Sequence, residues 1–240
     1  MRRLAIFVEG LTEELFAERF LTEVARGRGL GIEKRRASGG KATRRSFTQI
    51  TFPSGSSTPQ FYALIVNSGS DNRVKSDIRE NYASLVAKGY RTIIGVRDAY
   101  PEAKSIAEVP YLRKSLAYKI PTKPCDVTFV LGVMEIEAWF ISEYTHFSRV
   151  SAKLTLDRIT KTIGFDPSKA DIQRRRCPAK DLDTIYKLAR LRYIKEEELI
   201  RRTLNALNFK RICDELGGRF EDLRLFIEKV DKLLPASART

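Results

Sequence analysis

The sequence predicts an α/β protein with a largely parallel sheet flanked by helices and a helical C-terminal subdomain. Two observations carry the prediction. Strand-like and helix-like runs alternate up to about residue 145, and the pattern over 151–240 is helical. The expected organisation is therefore a first domain over 1–148 and a helical subdomain over 149–240.

The elements follow in order. "LAIFV" at 4–8 is short, apolar and β-rich, and reads as a buried strand. "TEELFAERFLTEVAR" at 12–26 places Leu15, Phe16, Phe20, Leu21 and Val24 at helical spacing, with Thr12 as the expected N-cap and Glu13 and Glu14 in the first turn. Residues 33–59 mix basic residues with Gly/Ser turns and an alternating "SFTQITF" strand, and read as a basic hairpin or loop over the sheet. "QFYALIVNSG" (60–69) is a strand, 71–90 a helix, and "RTIIGVRDAY" (91–100) a third buried strand. "DVTFVLGVMEIEAWFIS" (126–142) starts as a strand and turns helical near Glu137. Beyond it, "SAKLTLDRITKTIG", "KDLDTIYKLARLRY", "KEEELIRRTLNAL" and "RFEDLRLFIEKVDKLL" read as helices, with Pro167 and Pro178 interrupting the segments between.

Composition narrows the chemistry. The chain has 240 residues, three cysteines with no CxxC pair and one histidine, His146. A disulfide framework, a thiolate zinc site and a Ser-His-Asp triad are all disfavoured, which leaves carboxylates, lysines and a hard cation. No apolar stretch approaches the roughly 20 residues of a membrane helix, and a cytoplasmic protein is the expectation. The net charge of +14 suits a polyanionic partner, because Lys and Arg displace counterions condensed on phosphates. Of Lys34, Arg35, Arg36, Lys41, Arg44 and Arg45 in the hairpin, at least five are expected to face outward and to contribute to polyanion binding.

Three of the predicted strands run into acid: Glu9, Asp98, and the Glu135/Glu137 pair. Open α/β sheets bind ligands beyond the carboxyl ends of their strands. Carboxylates converging there repel unless they are protonated, paired with basic residues or neutralised by divalent cations. Oxygen ligands favour Mg²⁺ or Mn²⁺, which serve phosphoryl chemistry. Each acid also has a plainer reading: Glu13 and Glu14 complement a helix dipole, Asp98 is a turn residue, and Glu135 and Glu137 pair with arginines.

"FVEGLTEELF" resembles the first motif of the Toprim fold, and more narrowly the defence-associated branch related to overcoming-lysogenization-defect nucleases, whose second glutamate corresponds to Glu13. "IIGVRDAYPE" stands where that family carries Asp-x-Asp. "VMEIEAWFIS", "SGSDNRVKSDI" and "CPAKDLDTIY" are similar to segments of the DUF4276 group of Toprim-like proteins. The resemblance covers the first 145 residues well and the helical tail loosely. It departs at Tyr100, which replaces the second acid of Asp-x-Asp; Glu102 in the adjacent turn is the candidate substitute.

The resemblance implies a Mg²⁺- or Mn²⁺-dependent endonuclease acting on DNA or RNA, tRNA included. Its implied metal ligands are Glu9, Glu13, Asp98, Glu102 and Glu135, and its implied catalytic residues are Glu9, Glu13, Asp98, Glu137 and Lys180. It further implies an anti-phage effector held by a separate ABC-type ATPase, as in two-component systems of the PARIS kind, and it leaves a homodimer open. The chain itself has no GxxxxGK[ST]. The competing reading is a non-catalytic Toprim-like subunit that binds nucleic acid or the ATPase.

Overall fold

The computed structural model describes residues 1–26, 28–39, 46–54 and 59–234. Among them, six strands form one mostly parallel sheet: β1 (Arg2–Val8), β2 (Leu30–Ser38), β3 (Ser46–Ser54), β4 (Phe61–Asn67), β5 (Thr92–Asp98) and β6 (Asp126–Gly132), in the order β3-β2-β4-β1-β5-β6. Helix α1 (Leu11–Ala25) follows β1 and α2 (Asp71–Ala87) follows β4. β1 is parallel to β4 and β5, β2 is parallel to β4, and β2 and β3 pair antiparallel. The unbroken apolar run of β1 is explained by this placement. Leu4 to Val8 are all buried, as expected of a central strand covered on both faces.

The connection through α1 carries the chain to one side of β1, and the one through α2 carries it to the other. The strand order therefore reverses at β1, and such reversals open a crevice beyond the strand ends. Val8 pairs with both Asn67 and Val96, so β1 and its two neighbours finish at one edge of the sheet.

Several expectations need correction. The N-cap of α1 is Gly10, in extended backbone, and not Thr12, whose side chain is buried one position into the helix. Only Glu9 and Gly10 separate β1 from α1, so the turn is completed before Thr12 is reached. The segment 180–193 is not helical throughout: the helix ends at Lys187, and Arg190 takes a positive φ of 61°. A helix over Val109–Ala117, here α3, was not anticipated. The hairpin is present as β2 and β3, but Lys34 is buried against Glu18 and Glu14, and Arg35 is paired with Glu33. Of these three, Arg36 alone is mostly exposed, at 52% of its side chain. Lys41, Arg44 and Arg45 lie outside the described residues.

The chain forms two compact units, each discontinuous in sequence. The first contains Met1–Arg97, Arg113–Val130 and the chain from Leu225 onward. Its aromatic core joins α1 to the C-terminal helix Glu221–Leu233. Phe226 lies 5.1 Å from Phe20 and 6.0 Å from Phe16 between ring centroids, in edge-on and tilted geometries. Lys229, in the same helix, is ion-paired with Asp126 of β6 at 2.5 Å.

The second unit, Asp98–Leu112 with Leu131–Arg224, is built from short helices. They include α4 (Glu137–Ser142), α5 (His146–Val150), α6 (Leu156–Ile163), α7 (Pro178–Lys187) and α8 (Glu197–Ala206). Trp139, Phe140, Phe147 and Tyr186 fill its core. A buried polar knot holds α5: the Glu143 carboxylate accepts from Arg149 at 2.9 Å and from the Asn208 N–H at 3.1 Å. His146 sits in this core with Nδ1 donating to the Glu143 carbonyl at 2.7 Å, and burial pushes its imidazole down to about 4. It is a neutral core histidine at physiological pH.

Among the described residues, no helix is long and apolar enough to cross a membrane.

The Phe16–Phe20–Phe226 cluster yields a stability prediction. Truncating Phe226 to Ala should cost about 3–5 kcal/mol of unfolding free energy through lost burial and the cavity left behind. Urea denaturation checks this; a loss under about 1 kcal/mol would show that the C-terminal helix contributes little to the core.

Candidate active site

In the second unit, the chain leaving β5 and the chain leaving β6 run together. Ala99 N–H donates to the Gly132 carbonyl at 2.8 Å, and Tyr100 N–H to the Met134 carbonyl at 3.0 Å. Asp98 closes this arrangement: its Oδ1 accepts the Ile136 N–H at 2.7 Å and the residue is almost fully buried. Gly132 makes the approach possible. A Cβ there would lie 2.6 Å from both Asp98 Oδ1 and Ile136 N, well inside contact distance. Met134 turns the chain with a positive φ of 63°, a conformation that costs of order 1 kcal/mol for a non-glycine residue.

That turn delivers two glutamates. Glu137, 0% exposed at the start of α4, accepts the Tyr193 hydroxyl on Oε1 at 2.8 Å. Its Oε2 is buried and has no hydrogen-bond partner among the described residues. Glu135 accepts the Ala179 N–H on Oε2 at 2.7 Å. Pro178 and Ala179 open α7, so this is one of the orphan donors of a helix N-terminus, directed at a carboxylate. Burial raises the Glu135 pKa; the Ala179 bond opposes the rise, the charge of Glu137 adds to it, and Lys195 opposes it again.

The cation between these acids is Lys195. Its Nζ stands 3.6 Å from Asp98 Oδ2 and 3.7 Å from Glu137 Oε1, with the side chain 47% exposed. The loop after α7 presents it. Asp183 ties that loop down, with Arg192 at 2.9 Å, Lys187 at 2.7 Å and the Tyr193 N–H at 2.9 Å. Partial burial works against the Asp183 charge, but these donors prevail and hold its pKa at about 2. The sequence reading places Tyr193 at the end of one helix and Lys195 at the start of the next, whereas both lie in the loop between Lys187 and Glu197, where helical periodicity carries no information about the acids.

Lys180 is exposed on α7; the backbone of its neighbour Ala179, and not the lysine, reaches the acids. Glu102 is an exposed turn residue. Tyr100 lies under the Arg176 guanidinium, 5.9 Å from its ring centre.

The first unit holds the remaining sequence-selected acids. Glu9 is half-buried directly after β1, with its N–H on the Val96 carbonyl at 3.2 Å. Glu13 folds back so that Oε2 accepts the Gly10 N–H at 3.0 Å, the return bond of a capping box. Glu14 is buried, accepts Asn67 Nδ2 at 2.8 Å, and has Arg36 and Lys34 at 3.7 and 3.8 Å. Both plainer readings of the first turn are thereby enlarged: one acid caps the helix and the other ties α1 to β4 and β2.

The donor chemistry of the second unit fits a hard cation. Asp98 Oδ2 and the orphaned Glu137 Oε2 are oxygen acceptors in a buried setting, and a lysine ammonium already sits between their carboxylates. Among the described residues, no three His, Cys, Asp or Glu side chains group closely enough to hold a metal by themselves.

Glu135 gives a signed pH prediction. Its folded pKa is raised, so the folded state holds the proton more tightly, and the contribution to stability is present below the unfolded value and lost as pH rises. Glu135→Gln keeps an acceptor for Ala179 and removes the charge. Its urea midpoint should exceed that of wild type at pH 7 and match it near pH 4; equal midpoints at both pH values would contradict the assignment. A scan of protein-family models finds no match to the chain, and searches of curated proteins and of solved structures find none either.

Proposed function

We propose that the protein is a metal-dependent, Toprim-like nuclease whose chemistry in the second unit centres on Asp98, Glu137 and Lys195, with Glu135 as a further acid; the resemblance at the first motif separately adds Glu9 of the first unit. The observation that carries this reading is the buried Asp98–Lys195–Glu137 group, with an unpartnered Glu137 oxygen, where β5 ends. A merely structural acid cluster satisfies its acceptors; an orphaned buried carboxylate oxygen costs free energy and calls for a function. The net charge of +14 supports a polyanionic substrate, DNA or RNA.

Asp98 and Glu137 supply the oxygen ligands for Mg²⁺ or Mn²⁺. When bound, such an ion lowers the pKa of a coordinated water and neutralises phosphate charge. Lys195 is ion-paired with both carboxylates and stands ready to stabilise the added negative charge of the phosphoryl transition state. Tyr193 fixes the Glu137 oxygen that faces Lys195, and Ala179 orients Glu135. The resemblance at "FVEGLTEELF" extends the proposal to an anti-phage effector restrained by a separate ABC-type ATPase.

A second reading, a non-catalytic subunit that binds nucleic acid or the ATPase, draws on Tyr100 standing where a second acid is expected. The two separate on activity. The nuclease reading predicts Mg²⁺- or Mn²⁺-dependent cleavage of DNA or RNA. Asp98→Asn and Glu137→Gln should lower it by about 10³-fold or more, and Lys195→Met by about 10²-fold. Glu9→Ala should abolish both cleavage and any growth arrest on overproduction, and a co-expressed ATPase partner should suppress that arrest in the wild type. Retained nucleic-acid binding with no cleavage under any divalent cation would establish the second reading.

A further inference from the structure

The second unit contains a cleft that the acid group does not use. It has a volume of about 410 Å³ and is lined by Lys104, Ser105, Ile106, Ala107, Met134, Gln173, Arg174 and Arg176. Ligand-binding clefts commonly measure about 300–1,000 Å³. Two of its walls lead directly to the acids: Met134 precedes Glu135, and Arg176 precedes the Cys177–Pro178–Ala179 turn that binds Glu135.

The lining is divided by chemistry. Lys104, Arg174 and Arg176 supply positive charge, Ile106, Ala107 and Met134 an apolar wall, and Gln173 an amide. Most cations elsewhere in this unit are matched with acids, as Arg175 is with Asp181 at 2.8 Å and Arg192 with Asp183 at 2.9 Å. Within the cleft, Arg174 has an exposed partner in Asp171 at 3.3 Å. Lys104 and Arg176 have no carboxylate partner among the described residues, and the Arg176 guanidinium rests on Tyr100. Glu108 accepts the Lys104 backbone N–H at 2.9 Å, a bond that leaves the ammonium unmatched. The run Arg174-Arg175-Arg176 thus alternates, the middle guanidinium turning to Asp181 and Phe165 while its neighbours face the cleft. Ile106 is 41% exposed, apolar surface presented beside uncompensated charge.

We propose that this cleft seats one nucleotide unit of a single-stranded nucleic acid, its phosphate on Lys104, Arg174 and Arg176 and its base against Ile106 and Met134. A small inorganic anion would leave the apolar wall unused, and an acidic peptide offers no flat apolar face for it. A duplex keeps its bases stacked inside, so no single unit can enter a recess of this size. Single strands are held by this pairing of cations with base-stacking apolar or aromatic surface. The inference rests on nucleic acid being the substrate, and it narrows that substrate to single-stranded or unpaired regions.

The test measures binding separately from cleavage. Fluorescence anisotropy in EDTA compares a labelled single strand of roughly twelve nucleotides with a duplex of the same sequence. Lys104→Ala/Arg176→Ala should weaken single-strand binding by about tenfold or more and flatten its log–log salt slope by about 0.7, the value for one phosphate no longer neutralised. Ile106→Glu, at a surface position that does not hold the fold, should produce a similar loss. Duplex binding should change less than threefold in both. Unchanged single-strand affinity, or equal losses for strand and duplex, would overturn the proposal. Asp98→Asn retaining full affinity in EDTA while losing cleavage keeps the nuclease reading standing whatever the cleft variants do.

Discussion

The Asp98 carboxylate between the Ile136 N–H and the Lys195 ammonium is the interaction on which the candidate site depends. One oxygen fixes the turn after β6, and through it the positions of Glu135 and Glu137. The other oxygen takes the charge of Lys195. The fold makes room for this with Gly132, where no side chain fits, and with Met134 in left-handed backbone. Both features concede local stability to bring acids together, which is the pattern expected where strain is tied to chemistry.

Charge balance explains why the acids can be buried at all. Two carboxylates in a low-dielectric setting repel and prefer protonation. Here Lys195 is ion-paired with both Asp98 and Glu137, and the first turn of α7 offers a backbone N–H and the positive end of a helix dipole to Glu135. The compensation is incomplete at one atom, Glu137 Oε2. In the first unit the same accounting closes. Glu14 has Asn67, Lys34 and Arg36, and Glu13 returns to its own helix cap.

Much of this was legible in the sequence, and the missing parts share a cause. Apolar runs ending in Glu9 and Asp98 announced β1 and β5, because continuous burial leaves a periodicity of its own. The switch from strand to helix near Glu137 was equally visible. The helix expected through Tyr193 fails because Leu188 and Leu191 continue an apolar rhythm that Arg190, at positive φ, interrupts. That error concealed Tyr193 and Lys195. Lys180 is singled out by the resemblance of "CPAKDLDTIY", whereas the contact with Glu135 is made by the Ala179 backbone N–H, which has no sequence signature. Lys34 was expected in solvent, but strand pairing directs it toward Glu18 and Glu14.

The central claim is that Asp98 and Glu137 form a cation site in which Lys195 stands as the resident charge. Titration of the purified protein with Mn²⁺, followed by calorimetry, tests it most directly, since it needs neither substrate nor partner. The account predicts saturable binding that is lost in Glu137→Gln and becomes tighter in Lys195→Met, where the competing ammonium is gone. Mn²⁺ affinity unchanged in both variants would contradict it.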